Sequence, residues 1–450
     1  MESLRLSELM GALSHALDIT EGQPERHCVR CCWIGMNIAH HLDLSEQQKW
    51  ELYYTLLLKD LGCSSNAARI CELYATDDLN FKRDFKWVDG SLPQVLRFVL
   101  QHTGTSSGLL DRVKALTGIF ANGEKIAQEL TLTRCTRGAD IARKLRFPEG
   151  VASAIHALDE HWDGGGRPSG LQGDAIPLYA RIALLAQVID LFNSAQDRYA
   201  ALAEIEERSG GWFDPALVKA FKVVSADPAF WQMLNSTELE ASVFNLEPGN
   251  HEKILDEDYL DDIAEAFGQV VDAKSPYTAG HSARVALYTT LLGESLSMPT
   301  ARMRWLNRGA LLHDVGKLGV SNSILDKPGK LDADEWAAVQ KHAAYTGAIL
   351  GRIKAFDELA RVSSSHHERL DGKGYPLGLK AEEIVLETRI ITTADIFDAI
   401  TAERPYRGAI PVEQSLQLMS ESVGTAIDAQ CFDHLKGLVV AHPEFFPGLK

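Results

Sequence analysis

Between Ile254 and Val271 the apolar residues Leu260, Ile263, Ala264, Phe267, Val270 and Val271 recur three or four positions apart, with Asp and Glu among the positions between them. That period places them on one face and predicts an amphipathic helix. The same pattern returns at Cys28–Leu42, Trp50–Leu58, Ser282–Leu296, Ala301–Leu312, Asp334–Ile353 and Arg389–Thr401, and no stretch keeps the period-two alternation of a half-buried strand. The chain reads as all-α. Gly-, Pro- and Ser-rich breaks at Gly62–Ser65, Asp163–Gly173, Gly316–Lys330 and Asp371–Gly378 mark loops between helices.

These patterns are written twice. HCVRCCWIGMNIAHHL from His27 lies over HSARVALYTTLLGESL from His281, an offset of 254, and LLLKDLGCSSN lies over LLHDVGKLGVSN at the same offset, with Asp60 under Asp314. Further on, DGGGRPSGL from Asp163 lies over DGKGYPLGL from Asp371, and RIALLAQVIDLF from Arg181 over RIITTADIFDAI from Arg389, both at 208. Four blocks in one order mean a tandem repeat. The change of offset (254 − 208) puts 46 extra residues into the first copy, within about 72–132. The expected units are 1–245 and 246–450, joined near NLEPGNHEK, where Pro, Gly and polar residues gather.

Composition narrows the classes. At 45% hydrophobic and 24% charged, the 450 residues can bury large cores and are neither disordered nor a disulfide scaffold. A net charge of −17 excludes a surface-wide clamp for nucleic-acid polymers or anionic lipid, so an anionic ligand would need local cations. No window approaches the roughly 20 apolar residues of a membrane span, and MESLRLSELMGALSHALDI lacks a basic start before an apolar core; the expectation is a cytoplasmic protein away from the membrane. Seven cysteines, six of them before residue 136, suit reduced thiols rather than disulfides.

The second copy concentrates metal-ligand chemistry at helix ends and turns: His281, His313–Asp314, His342, His366–His367 and Asp395. Neutral imidazoles and carboxylates suit Fe, Mn, Zn, Ni or Co, and seven such groups exceed the needs of one ion. They suit two ions sharing a carboxylate. Taken singly, His281 and His342 read equally as hydrogen-bonded core histidines; the adjacent HD and HH pairs are harder to bury without partners, and the set carries the signal.

The ordered motifs HS at 281, HDVGK at 313–317, KH at 341–342, HHERLDGKGYP at 366–376 and ADIFDAITAERPYR at 394–407 resemble an HD-GYP domain, a branch of the HD metal-dependent phosphohydrolases, over about residues 255–440. The resemblance implies two tandem HD-type helical domains, the second catalytic: a cyclic dinucleotide phosphodiesterase acting on cyclic di-GMP or 3′3′-cyclic GMP-AMP with two divalent transition metals, Fe or Mn first, by a metal-activated hydroxide. It implies Asp314 as the bridge, with His281, His313 and Asp395 towards one metal and His342, His366 and His367 towards the other. Lys317, Arg404 and Arg407 would meet phosphate or a guanine edge; Lys317 could instead end a helix, and either arginine could be a surface residue. Gly374, Tyr375 and Pro376 form the signature loop, with positive φ expected at Gly374 and Tyr375 at the rim, where the loop shapes the pocket, stacks on substrate or meets a signalling partner. Asp398 would orient a ligand from behind. Family members with a third metal carry a Glu where Tyr277 stands, which favours two.

The first copy lacks most of this set. Lys59 stands for His313, Cys63 for Lys317, Leu158–Asp159 for His366–His367, Gln187 for Asp395 and Arg167 for Tyr375, while the stretch matching His342 is LTRCTRGAD. Lys59 would place its charge beside Asp60. Cys28 and Cys31 form CxxC by spacing and, with His27 and Cys63, could make a mononuclear or redox site; Cys31 and Cys32 align with the apolar Val285 and Ala286 and read as small buried hydrophobes. The Trp162, Arg167 and Arg181 neighbourhood leaves a nucleotide sensor open beside a degenerate domain that stabilises the active copy. Two rival functions remain at this point: an ordinary HD nucleotidase, which needs only H…HD…D, and a non-catalytic cyclic-dinucleotide sensor or scaffold acting through the GYP loop. The oligomeric state is unread.

Overall fold

The computed structural model describes residues 4–88, 91–105, 108–249, 255–405 and 407–446. Among these every regular element is helical, and β-type pairing is confined to isolated bridges such as Asp371 with Lys380. The chain divides into two compact units, Met1–Tyr259 and Leu260–Lys450.

In the first unit, helix α1 (His27–His41) packs on α2 (Glu46–Leu58). Helix α2 starts four residues before its apolar pattern because Ser45 and Gln48 close a capping box that satisfies its free N–H groups. The extra residues of this copy fold as α3 (Asp78–Phe85), α4 (Leu92–His102) and the start of α5 (Leu109–Lys144), around a cluster of their own that includes Tyr74, Phe81, Phe98, Val99 and Ile119. A non-helical Asn122 interrupts α5, beyond which the helix runs into the repeat. Helix α6 (Glu149–His156) then packs against α5, and α7 (Leu178–Ala195) closes on α1.

The second unit begins within α8 (Glu257–Asp272), whose Ile263, Ala264, Phe267, Val270 and Val271 are buried, as its period requires. Helices α9 (His281–Ser295) and α10 (Thr300–Leu312) follow, then α11 (Ala333–Leu350), α12 (Asp357–Ser364) and α13 (Leu386–Thr401). The starts of α9 and α10 lie 254 positions after those of α1 and α2, and the starts of α12 and α13 lie 208 after those of α6 and α7. The expected break at Gly316–Lys330 is not bare loop, since it overlaps a 3-10 turn, Val315–Gly319, and holds a short helix, Asn322–Leu325.

One conformational expectation needs correction. Positive φ in the signature loop falls at Gly372 and Gly378, not at Gly374. Gly374 is required for another reason: a Cβ there would stand 2.4 Å from the Arg369 amide and 2.6 Å from the His367 carbonyl oxygen.

Candidate metal centre

The seven predicted groups are delivered from five places in the second-unit frame. His281 is the first residue of α9, His313 and Asp314 follow the last residue of α10, His342 lies inside α11, His366 and His367 follow α12, and Asp395 lies inside α13. The turn after Asp314 can abut α11 only because Gly316 has no side chain, since a Cβ would lie 2.0 Å from the His342 carbonyl oxygen. Thr346 fixes that contact, donating to the His313 carbonyl at 2.8 Å and accepting from the Gly316 amide at 3.0 Å. Of the seven, only His367 is not fully buried.

Their ring nitrogens are turned in a common sense. Nδ1 of His313, His342 and His366 donates to the carbonyls of Ala310, Val339 and Ser363 respectively, and Nδ1 of His281 donates to Asp398 at 2.7 Å. Such outer bonds select the tautomer and leave Nε2 with its lone pair facing inward. There, Nε2 of His281 and His313 lie 3.2 and 3.3 Å from Asp314 Oδ2, and 3.4 and 3.8 Å from Asp395 Oδ1. On the opposite side, Nε2 of His342 and His366 lie 3.5 and 3.7 Å from Asp314 Oδ1. The Asp314 carboxylate thus stands between two ligand sets, one oxygen towards each. His281, His313 and Asp395 form one group with all ligand atoms within 4.8 Å, and His342, His366 and His367 form another.

The donors fit metal ions better than they fit one another. Nε2 of His281, Nε2 of His313 and Oδ1 of Asp314 are buried without a hydrogen-bond partner, an arrangement costly for groups that only pack. Two ligands each about 2.1 Å from one ion stand roughly 3–3.5 Å apart, close to the separations seen here.

The electrostatics divide the cluster. Burial opposes charge on Asp314, yet Lys317 and His313 hold its carboxyl well below the ordinary range. Against burial, the Asp314 and Asp395 carboxylates push His313 up to about 10. Burial pulls His342 and His366 down, and with the charge of His342 it takes His367 down to about 3. One half carries the anions and the other is a set of neutral imidazoles.

Around this centre Lys317 contacts Asp314 Oδ2 and keeps its side chain part-exposed. The Tyr375 ring lies 4.8 Å from that of His367 and 6.3 Å from that of His342. Arg404 and Arg407 are not drawn to the cluster by their hydrogen bonds: the Arg407 guanidinium donates to the carbonyls of Ala399 and Ile400, and Arg404 Nε to Ala399, at the C-terminal end of α13. Tyr277 sits in the 3-10 turn Pro276–Thr278.

Sequence reasoning missed three supporting residues. Arg284 grips both Asp398 oxygens, at 2.6 and 3.0 Å. Glu368 accepts the amides of Leu377, Gly378 and Leu379 and so holds the signature loop from behind. Trp336, half-exposed on α11, meets Tyr375 edge to face at 6.2 Å. The signal for the first two was present, because Arg30 and Glu160 occupy the matching places in the other copy.

The first-unit cysteines resolve towards packing. All seven cysteines of the chain are free thiols. Burial pushes the Cys28, Cys31, Cys32 and Cys63 thiols up, away from the thiolate a metal or redox site requires. Arg181, offered above for a nucleotide, is engaged by Asp174 at 2.9 Å and Asp214 at 2.8 Å and lies over the Trp162 ring.

Comparison with known proteins places these observations. The HD domain family model matches residues 126–217 and 265–431, more than half of the chain. A 3′3′-cGAMP-specific phosphodiesterase 3 of Vibrio cholerae is 56% identical over 444 residues, covering 99% of this chain and 96% of that protein. A 3′3′-cGAMP-specific phosphodiesterase 1 of the same organism is 30% identical over 328 residues, 69% of this chain and 74% of its own. A crystal structure of a cyclic GMP-AMP-specific phosphodiesterase from V. cholerae superposes with a TM-score of 0.68 at 51% identity, covering 98% of this chain and 99% of that one. With a full-length relative this similar, the family model on both units and the HD and GYP motifs around one buried His/Asp cluster, the chain belongs to the HD domain family, in its HD-GYP branch.

Proposed function

We propose that this protein is a cyclic dinucleotide phosphodiesterase that hydrolyses a 3′-5′ phosphodiester of 3′3′-cGAMP at the second-unit cluster. The observation that carries the reading is the two-sided ligand set around Asp314, in a chain 56% identical to a 3′3′-cGAMP-specific phosphodiesterase. His281, His313 and Asp395 would hold one divalent ion and His342, His366 and His367 a second, with Asp314 available to both; Fe or Mn suits these imidazole and carboxylate donors. When bound, such a pair supplies positive charge to the phosphodiester oxygens and acidifies a water.

The chain's own part is to present and confine. Three backbone carbonyls and Asp398 keep four imidazoles in one tautomer with Nε2 inward. Lys317, the part-exposed cation at Asp314, meets the phosphate, and Tyr375 walls the entrance beside His367. Arg404 and Arg407 cap α13 and extend positive charge from its end, a second source of attraction for the dianionic substrate. The first unit is a degenerate HD copy of the same frame without this chemistry, which accounts for the helix starts repeated at 254 and 208.

The test is a turnover assay of the Mn- or Fe-loaded protein with 3′3′-cGAMP, cyclic di-GMP and cyclic di-AMP, products separated by chromatography. Hydrolysis of 3′3′-cGAMP ahead of the other two is expected. Absence of cleavage of all three with metal bound overturns the reading.

A further inference from the structure

In the second unit, His281, His313, Asp314 and Asp395 converge on one point. The matching first-unit residues are His27, Lys59, Asp60 and Gln187. Three of these are gathered around the fourth: Lys59 Nζ lies 3.1 Å from His27 Nε2 and 3.1 Å from Gln187 Oε1, and it contacts Asp60 Oδ2. An ammonium has three protons and no acceptor, and here it meets three acceptors. His27 presents a lone pair to it because its Nδ1–H is taken by Asp190 at 2.7 Å, as that of His281 is taken by Asp398 at 2.7 Å.

We infer that the Lys59 ammonium is the resident cation of the first unit: it sits where an ion is held in the second, so this unit is built to hold its own charge instead of a metal. The inference rests on the reading of the second-unit cluster as a metal site. Three further observations agree with it. First, the acceptor set is matched to a single positive charge, since the place of the anionic Asp395 is taken by the neutral Gln187, which still offers an oxygen. Second, the far side of the carboxylate is covered as well. Lys86, from the residues present only in this copy, lies 4.0 Å from Asp60 Oδ1 and 3.0 Å from Glu21. Third, the histidines of the other ligand set have become a self-neutralising pair: Arg134 stands at the place of His342 and contacts Asp159, at the place of His367, while the third place is filled by the apolar Leu158.

Among the described residues of this unit, two groups have ligand atoms close enough for an ion, His27 with Cys31 and Asp190, and Glu21 with Asp60 and Cys63. Both are already served. Asp190 is gripped by Arg30 and His27, and Glu21 and Asp60 face Lys86 and Lys59.

The full-length chain tests this by metal content and melting. Wild type should carry about two ions, and Asp314→Ala should carry none, with a melting curve unmoved by chelator. Lys59→Met should lower the first-unit transition by about 10 °C, because it leaves Asp60 buried without its closest cation. Adding Asp60→Asn to Lys59→Met should recover most of that loss, which separates a missing charge from a badly packed methionine. An ion retained by the Asp314→Ala chain and lost when His27→Gln is added, a Lys59→Met chain that melts like wild type, or a double variant no more stable than the single one would each overturn the inference. A wild-type chain that binds no metal strikes instead at the reading of the second unit.

Discussion

Asp398 accepts the Nδ1 proton of His281 at 2.7 Å, and this bond decides which imidazole nitrogen faces the cluster. Arg284 holds the carboxylate in place from the other side. Asp398→Ala should therefore weaken metal binding about 10–100-fold without removing a ligand. Titration of Mn against a competing chelator measures it, and unchanged affinity would show that α9 alone orients the ring.

Asp314 faces both ligand sets, so its loss should be felt by both at once. Asp314→Asn keeps the shape but removes the negative charge and replaces one of the two oxygens by an NH2 donor; metal content should fall towards zero and turnover by at least about a thousandfold, equivalent to roughly 4 kcal/mol of transition-state stabilisation. Elemental analysis and product chromatography on one preparation check both. Retention of one full ion would mean that the two sets bind independently.

Lys317 distinguishes a phosphate contact from a helix-end contact. Lys317→Met should keep the metal and the melting temperature while kcat/KM falls about a hundredfold, with partial recovery in Lys317→Arg. A variant that loses stability and keeps its rate would assign the lysine to the turn.

In the first unit His27 makes stability depend on pH. Burial, followed by the Lys59 ammonium, pulls its pKa from 6.5 to about 4 despite Asp190. Between those values the unfolded chain binds a proton that the folded one refuses, so this contribution is complete above pH 6.5 and is lost as pH falls towards 4, by about 3 kcal/mol. Asp18, pushed up to about 7 by burial, acts in the opposite direction over the whole of that range. The informative quantity is the difference between wild type and His27→Gln in denaturant midpoints from pH 7 to pH 4.5, which should shrink as pH falls. A constant difference would contradict the assignment.

Much of this was legible in the sequence because helices and metal ligands leave periodic and ordered traces. The apolar face of α8 was read from Leu260, Ile263, Phe267 and Val270, and the repeat from His27 over His281 and Asp60 over Asp314. Contacts that depend on backbone approach were not legible. Gly374 looked like a residue chosen for its φ, yet its role is to let the loop lie against the His367 carbonyl, and nothing in a one-dimensional string records that distance. Arg404 and Arg407 read as free cations because their order suits phosphate; their carbonyl partners on α13 emerge only once the chain turns back after Thr401. Arg284 and Glu368 were readable in hindsight. The ligands are what the first copy lost, and the frame, Arg30 with Arg284 and Glu160 with Glu368, is what both copies kept.

The buried glutamates show what that frame does. Glu368 gathers three amides of the loop that carries Tyr375, and in the other unit Glu160 gathers those of Ser169 and Leu171 in the loop that carries Arg167. The loop's path is therefore set by a carboxylate at its back, independently of the residue displayed at its front. Position 375 is in this sense a socket: its occupant can be exchanged for another ring, a cation or a small side chain while the backbone beside His367 stays where it is, which makes it the place to begin when retuning what this fold admits to its pocket.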